Sequence, residues 1–275
     1  MTDNFELVIR PKYGLFDLNW KELKEYHELL YFLALREIKI RYKQTLMGAS
    51  WAVLQPLFTM IVFTLIFGGL AQMPSEGIPY ALFSYSGLLL WTYFQNALTN
   101  SGNSLVGNAQ LLSKVYLPRI FIPTAPCFAG VVDYLIAMTI LAAMMVYYQF
   151  MPAVTILFLP VIVLLTLLLA AGTGYWLSSI CVKYRDVKFA LPFFVQLLMF
   201  VSPVIYPTNI LSGNLQWILV LNPLTGLINA HRAVLLGHVP VDYVGLAISA
   251  VITLVIFFSG ILYLRQTEKY FADLV

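Results

Sequence analysis

Phe189, Phe193, Gln196 and Phe200 follow one another at steps of four, three and four, so a helix would carry three aromatic rings and an amide on one face. Such a face either packs on a neighbouring helix or meets a ligand, and it holds no acid, base or nucleophile. A second polar set, Thr92, Gln95, Asn96, Thr99, Asn100, Ser101, Asn103 and Ser104, occupies half of an apolar stretch. In lipid these side chains would be costly, so they must face protein or a water-filled path. Asp133 is the one acidic residue well inside an apolar stretch. It reads as a structural hydrogen bond or ion pair near the cytoplasmic boundary, because a proton or ion relay would need further intramembrane acids.

Several chemistries lack their residues. There is no G-x-x-x-x-G-K-[ST] run to cradle nucleotide phosphates, no G-x-S-x-G elbow and no intramembrane carboxylate pair for glycosyl chemistry. His27, His231 and His238 are widely separated, and the spacing of Cys127 and Cys181 matches no metal site, so both thiols read as packing residues. The residues describe a conduit with no catalytic chemistry and no cofactor of its own, whose energy must come from a partner.

The elements that position these residues follow from hydropathy and charge. The chain has 275 residues, 60% apolar and 11% charged, where an ordinary soluble domain is about a quarter charged. Six apolar stretches at 51–70, 82–103, 124–149, 154–181, 189–206 and 243–264 are long enough, at about 1.5 Å per residue, to cross roughly 30 Å of hydrocarbon as helices. Fifteen of the sixteen lysines and arginines then share one side, Arg232 being the exception, and the positive-inside rule makes both ends cytoplasmic. The first fifty residues hold eight basic and seven acidic side chains, a pattern unlike a cleavable signal sequence. The expected organisation is a cytoplasmic N-terminal segment at 1–50, a six-helix transmembrane domain at 51–265 and a short tail at 266–275.

Around the spans, residues 20–43 suit an amphipathic interfacial helix. Leu23, Tyr26, Leu30 and Leu33 share its apolar face, and Lys21 with Glu25 and Glu37 with Arg41 form i, i+4 pairs; a merely solvated basic leader is the alternative. Between spans two and three, LLSKVYLPRIFIPTAP is expected to form a small cytoplasmic helix at 111–122 with a proline-stiffened exit. Residues 207–241 contain two apolar pieces split by Asn222 and Pro223, each too short to cross, which fits an outer re-entrant helical hairpin. Arg232 there would point to water or a partner group, or snorkel at the outer boundary.

Five ordered segments carry a family resemblance: LREIKIRYKQTLMGASWAVLQPL, SKVYLPRIFIP, VKYRDVKFALPFFVQLLMFVSPVIYP, NPLTGLINAHRAVLL and EKYFADLV. Over about residues 30–275 the chain resembles the membrane subunit of ABC-2-type exporters of polysaccharide, which move O-antigen, teichoic acid and capsule chains. The resemblance implies the ABC-2 exporter fold and a homodimeric permease in the bacterial inner membrane. It also implies two copies of a separate ATPase, which binds the ATP and Mg, and a lipid-linked polysaccharide as cargo. It places a coupling helix at Ser113, Lys114, Val115, Tyr116, Leu117, Pro118 and Arg119. The substrate path would use Trp51, Gln55 and Phe58 with Phe193, Gln196 and Phe200.

That path has a physical case besides the resemblance, since sugar rings lay CH-rich faces on aromatic rings while amides replace water at their hydroxyls. Arg36, Lys39, Arg41 and Lys43 lie at headgroup level, where they would gather a lipid diphosphate or act as ordinary topogenic charges. Three rivals remain: an ABC-2 permease for a drug, peptide or small lipid, an intramembrane transferase, and a proton-coupled carrier. The last two lack the titratable residues they would need.

Overall fold

The computed structural model describes residues 24–43, 48, 50–114, 117–152, 154–210 and 219–268, and among these the regular structure is entirely helical. In chain order the helices are α1 (His27–Tyr42), α2 (Ser50–Phe63), α3 (Tyr80–Gly107), α4 (Ala109–Lys114), α5 (Phe121–Tyr147), α6 (Leu159–Lys183), α7 (Val187–Val201), α8 (Pro223–Leu236) and α9 (Tyr243–Glu268). A π-helical segment, Thr64–Leu70, continues α2, and a 3-10 turn, Val154–Phe158, leads into α6. Among the described residues four helical stretches are long and apolar enough to cross a membrane: Ser50–Leu70, Phe121–Tyr147, Val154–Lys183 and Tyr243–Glu268.

α3 is the hub, packed along both α5 and α6 and touched by α2, α7 and α8. It is also the polar helix, and three of its serines need no outside partner. Ser84, Ser86 and Ser104 donate to the carbonyls of Ala81, Phe83 and Ser101, three residues back. The phenols of Tyr85 and Tyr93 reach across to the Ala137 and Cys127 carbonyls of α5 at 3.1 and 3.3 Å. Cys127 and Cys181 are buried free thiols.

α6 and α9 cross where two glycines face each other. A Cβ on Gly172 would lie 2.6 Å from the Phe257 Cα, and one on Gly260 would meet the Gly172 carbonyl oxygen. Only small residues permit this approach, the usual device for helix pairs in membranes. Trp176 and Tyr263 stack 4.2 Å apart on the same seam.

α7 ends earlier than expected. The stretch 189–206 is helical only to Val201, because Pro203 disfavours helical geometry at Ser202, whose φ and ψ are −97 and 146°. α8 has sharp ends: the Asn222 side chain accepts from the Leu224 amide at 3.1 Å, Pro223 opens the first turn, and Gly237 closes the last at φ +61°. The companion piece of the expected hairpin, 215–221, lies mostly outside the described residues.

α1 lies against α5. Leu33 is buried with Phe121 and Ala125, and Tyr26, Leu29, Leu30 and Leu111 close around them. The expected pairing of Arg41 with Glu37 does not form: Arg41 turns to Asp133 on α5, while Glu37 lies 3.8 Å from Arg36. Leu23 and Lys21 lie outside the described residues.

Candidate functional site: a polar cavity beneath the first turn of α2

A cavity of about 300 Å³ lies among α1, α2, α3 and α5. Its walls carry Trp51 and Gln55 of α2, Thr92, Asn96 and Asn100 of α3, Asp133 of α5, and Arg41 and Tyr42 at the end of α1. Part of the half-polar character of α3 is thus explained: Ser84, Ser86 and Ser104 bond back to their own helix, and a row at 92, 96 and 100 faces this space. Steps of four put that row on one helical face.

Arg41, Tyr42 and Asp133 hold the floor together. Nη1 of Arg41 donates to one Asp133 oxygen, and the Tyr42 hydroxyl donates to the other. Both carboxylate oxygens are therefore engaged, and the Arg41 charge is balanced where it stands. Burial first, and then the bond to Asp133, raise the Tyr42 pKa above its usual range, so the phenol stays protonated. Nη2 of Arg41 is buried without a hydrogen-bond partner among the described residues.

The other sequence candidates lie apart from this cavity. Phe58, Phe193 and Phe200 are 52 to 61% exposed and Gln196 is also exposed, so they cover the outside of α2 and α7. α2 and α7 both rest on α3, and neither packs substantially on the other within one chain. Trp51 and Gln55 are exposed as well, but they stand at the cavity mouth.

Of the basic set, Arg36 donates to the side-chain oxygen of Asn108, the residue joining α3 to α4, and Arg41 is paired with Asp133. Lys39 and Lys43 are exposed. Of the coupling segment, Ser113 and Lys114 end α4, a helix of six residues that starts at Ala109 instead of 111. Val115 and Tyr116 lie outside the described residues. Leu117 is buried, Pro118 precedes α5, and Arg119 donates to the Glu268 carbonyl at the end of α9.

Of the expectations for Arg232, the structure shows a partner group, not a snorkelling side chain at the boundary. Arg232 is 5% exposed, with Nε on the Phe83 carbonyl at 3.2 Å, Nη1 on Pro203 at 2.7 Å and Nη2 on Val204 at 2.6 Å. The guanidinium lies 3.8 Å over the Phe83 ring, and a Cβ on Gly87 would press on it. Arg232 thereby ties α8 to α3 and supplies donors to carbonyls freed where α7 breaks at Pro203. A smaller cavity of about 130 Å³ has Arg232, Glu76 and Asp242 on its wall. Beside Arg232, the His231 Nε2 and the Tyr134 hydroxyl are 2.8 Å apart.

The described residues thus form an all-helical arrangement with a polar hub, a first helix fastened to α5 and an exposed aromatic helix. The family model described as ABC-2 type transporter matches residues 28–236, and the chain belongs to that family. It is 26% identical over 255 residues to the O-antigen export system permease protein RfbA of Myxococcus xanthus, covering 92% of this chain and 97% of that one. It is 24% identical over 251 residues to the O-antigen export system permease protein RfbA of Klebsiella pneumoniae, covering 90% and 95%. It is 25% identical over 240 residues to the polysialic acid transport protein KpsM of Escherichia coli, covering 86% and 92%.

Proposed function

We propose that this chain is the membrane subunit of an ATP-driven exporter that carries a lipid-linked polysaccharide across the bacterial inner membrane. The observation that carries this reading is the near end-to-end similarity to permeases named for O-antigen and polysialic acid. The exposed rings and amide of α7 support it, because they suit a polymer of sugar rings that must slide without binding tightly at any one place.

In this reading α3 and α7 complete six crossings. α3 has 28 residues, about 42 Å at 1.5 Å per residue, and its polarity is masked by neighbours. α7 has 15 residues and is extended by the segment through Tyr206, while α8 forms the described half of an outer re-entrant hairpin. Both termini are cytoplasmic. Two copies of the chain face each other through α2 and α7, so that Trp51, Gln55, Phe58, Phe193, Gln196 and Phe200 border a shared path. Two copies of a separate ATPase hold ATP and Mg and push on the segment through Ser113, Lys114, Val115, Tyr116, Leu117, Pro118 and Arg119. Lys39 and Lys43 are the basic residues left to meet a lipid diphosphate, since Arg36 and Arg41 are engaged within the chain.

Deletion of the gene in its host tests the reading. The expected result is loss of surface glycan with lipid-linked polymer retained on the cytoplasmic side, restored by the wild-type chain. Unchanged surface glycan together with sensitivity to a small toxic compound would instead assign the chain to drug or small-lipid export.

A further inference from the structure

The cavity at the first turn of α2 sets three amides, Gln55, Asn96 and Asn100, among apolar side chains and carries no net charge. Gln55, Asn96 and Asn100 make no side-chain hydrogen bond within the described residues, and Arg41 Nη2 is a buried donor without a partner. Asn96 is half-buried, and Gln55 and Asn100 are exposed at the rim, so the buried Arg41 Nη2 is the group that costs free energy unless water or a ligand satisfies it. Helix packing does not require the amides, since apolar residues would close the same gap.

The wall selects among ligands. A phosphate or diphosphate is held by uncompensated cations, and the cation here is already matched by Asp133. A cation would meet a carboxylate whose two oxygens are both occupied. An apolar tail would leave three amides stranded. A hydroxyl-rich neutral ring suits every group present: Gln55, Asn96 and Asn100 both donate and accept, Arg41 Nη2 donates, and Trp51 offers a flat apolar face at the mouth. The volume of about 300 Å³ is at the lower end of the roughly 300–1,000 Å³ of small-molecule sites, enough for a sugar unit and too small for a polymer.

We infer that this cavity is a subsite within each protomer for a single neutral pyranose unit, held by Gln55, Asn96, Asn100 and Arg41 Nη2 against Trp51. The inference deepens the glycan-export reading and rests on it for the identity of the cargo. The subsite shares Trp51 and Gln55 with the path proposed between two copies and extends from them to Asn96, Asn100 and Arg41 of the same chain. A ring seated here would be held between the end of α1, the first turns of α2 and the middle of α3 and α5.

The test uses the permease–ATPase complex reconstituted in lipid nanodiscs. Ala52 lies on the cavity wall and the native thiols, Cys127 and Cys181, are buried, so Ala52→Cys provides one reactive thiol for a small maleimide. Labelling is timed with the methyl pyranosides of glucose, galactose, mannose and N-acetylglucosamine, with sorbitol as a ringless polyol and with inorganic pyrophosphate. At least one pyranoside should slow labelling while sorbitol does not. Adding Asn96→Leu should raise the pyranoside concentration needed by about tenfold, the loss of one well-made polar contact. Thr92→Val, a near-isosteric change, tests the same wall should Asn96→Leu fail to assemble.

Protection by pyrophosphate alone would make the cavity an anion site and overturn the inference. So would a thiol that fails to react without ligand, because the cavity would then be closed. No protection by any pyranoside, in a complex that still exports glycan, removes the subsite and leaves the function standing. Protection in a complex that exports no glycan keeps the subsite and removes the exporter reading.

Discussion

Arg41, at the end of α1, and Asp133, twelve residues into α5, form an ion pair that fastens the leader helix to the third long helix. About a fifth of each side chain remains exposed. Removing either partner leaves the other charge in a poorly hydrated place. Asp133→Asn and Arg41→Gln should each lower stability by roughly 1–3 kcal/mol, less than the loss at a fully buried pair because water still reaches this one. Thermal unfolding in detergent, read as a double-mutant cycle, checks this. Additive losses in the double variant would show that the two side chains do not act on each other.

Tyr42 gives this contact an alkaline limit. Its folded pKa is raised above the unfolded value of about 10, so the native state holds the phenol proton more tightly. The resulting stability is complete below pH 10 and is lost as pH climbs through the folded value. Tyr42→Phe should therefore lose less stability than wild type between pH 9 and pH 11, whereas parallel alkaline curves would remove Tyr42 from the effect.

Arg232 should tolerate no replacement, lysine included. One ammonium cannot span the carbonyls of Phe83, Pro203 and Val204, which surround a planar, forked guanidinium. Arg232→Lys is expected to cost about 2 kcal/mol and Arg232→Met more, since each charged hydrogen bond contributes roughly 1.5–3 kcal/mol. Heat-induced aggregation of the purified chain measures both. A methionine variant as stable as wild type would show that water already satisfies those carbonyls.

Phe193 and Phe200 separate path from packing. Both are largely exposed on a single chain, so the double alanine variant should leave its unfolding within about 0.5 kcal/mol of wild type. Glycan export should nevertheless fall. Normal export would take both rings out of the path, and a marked loss of stability would return them to ordinary packing.

The four basic residues of α1 divide in the same way. Lys39→Glu with Lys43→Glu should weaken capture of lipid-linked substrate while the complex still assembles. Arg36→Glu or Arg41→Glu should loosen α1 itself, because each cuts a bond to another helix. Flotation with vesicles carrying a polyprenyl diphosphate reads capture, and co-purification with the ATPase reads assembly. Equal behaviour of the two pairs would refute the division.

Much of this architecture was legible in periodicity. The apolar stretches at 51–70, 124–149, 154–181 and 243–264 each became a helix within a few residues of the expected ends. Asp133 was legible as a structural ion because no second acid accompanied it, but its partner was not. Glu37 lies four residues from Arg41 and Asp133 lies 92 away, and spacing along a helix cannot report a contact made across helices. Arg232 was harder still, because its acceptors are backbone carbonyls, which carry no residue identity. The helical end at Val201 was written in Pro203 and masked by the apolar residues that continue past it. The α3 row at 92, 96 and 100 was visible as polar, though which members bond to their own helix and which border a cavity depended on α2 and α5.

The bond from Arg119 to the Glu268 carbonyl couples distant parts of the chain. It joins the base of α5 to the last turn of α9, and α9 is locked to α6 where Gly172 meets Gly260. The turn that enters α5 is therefore tied through one bond to three long columns, α5, α6 and α9. α2 and α7, which both rest on α3, stand outside that tied set.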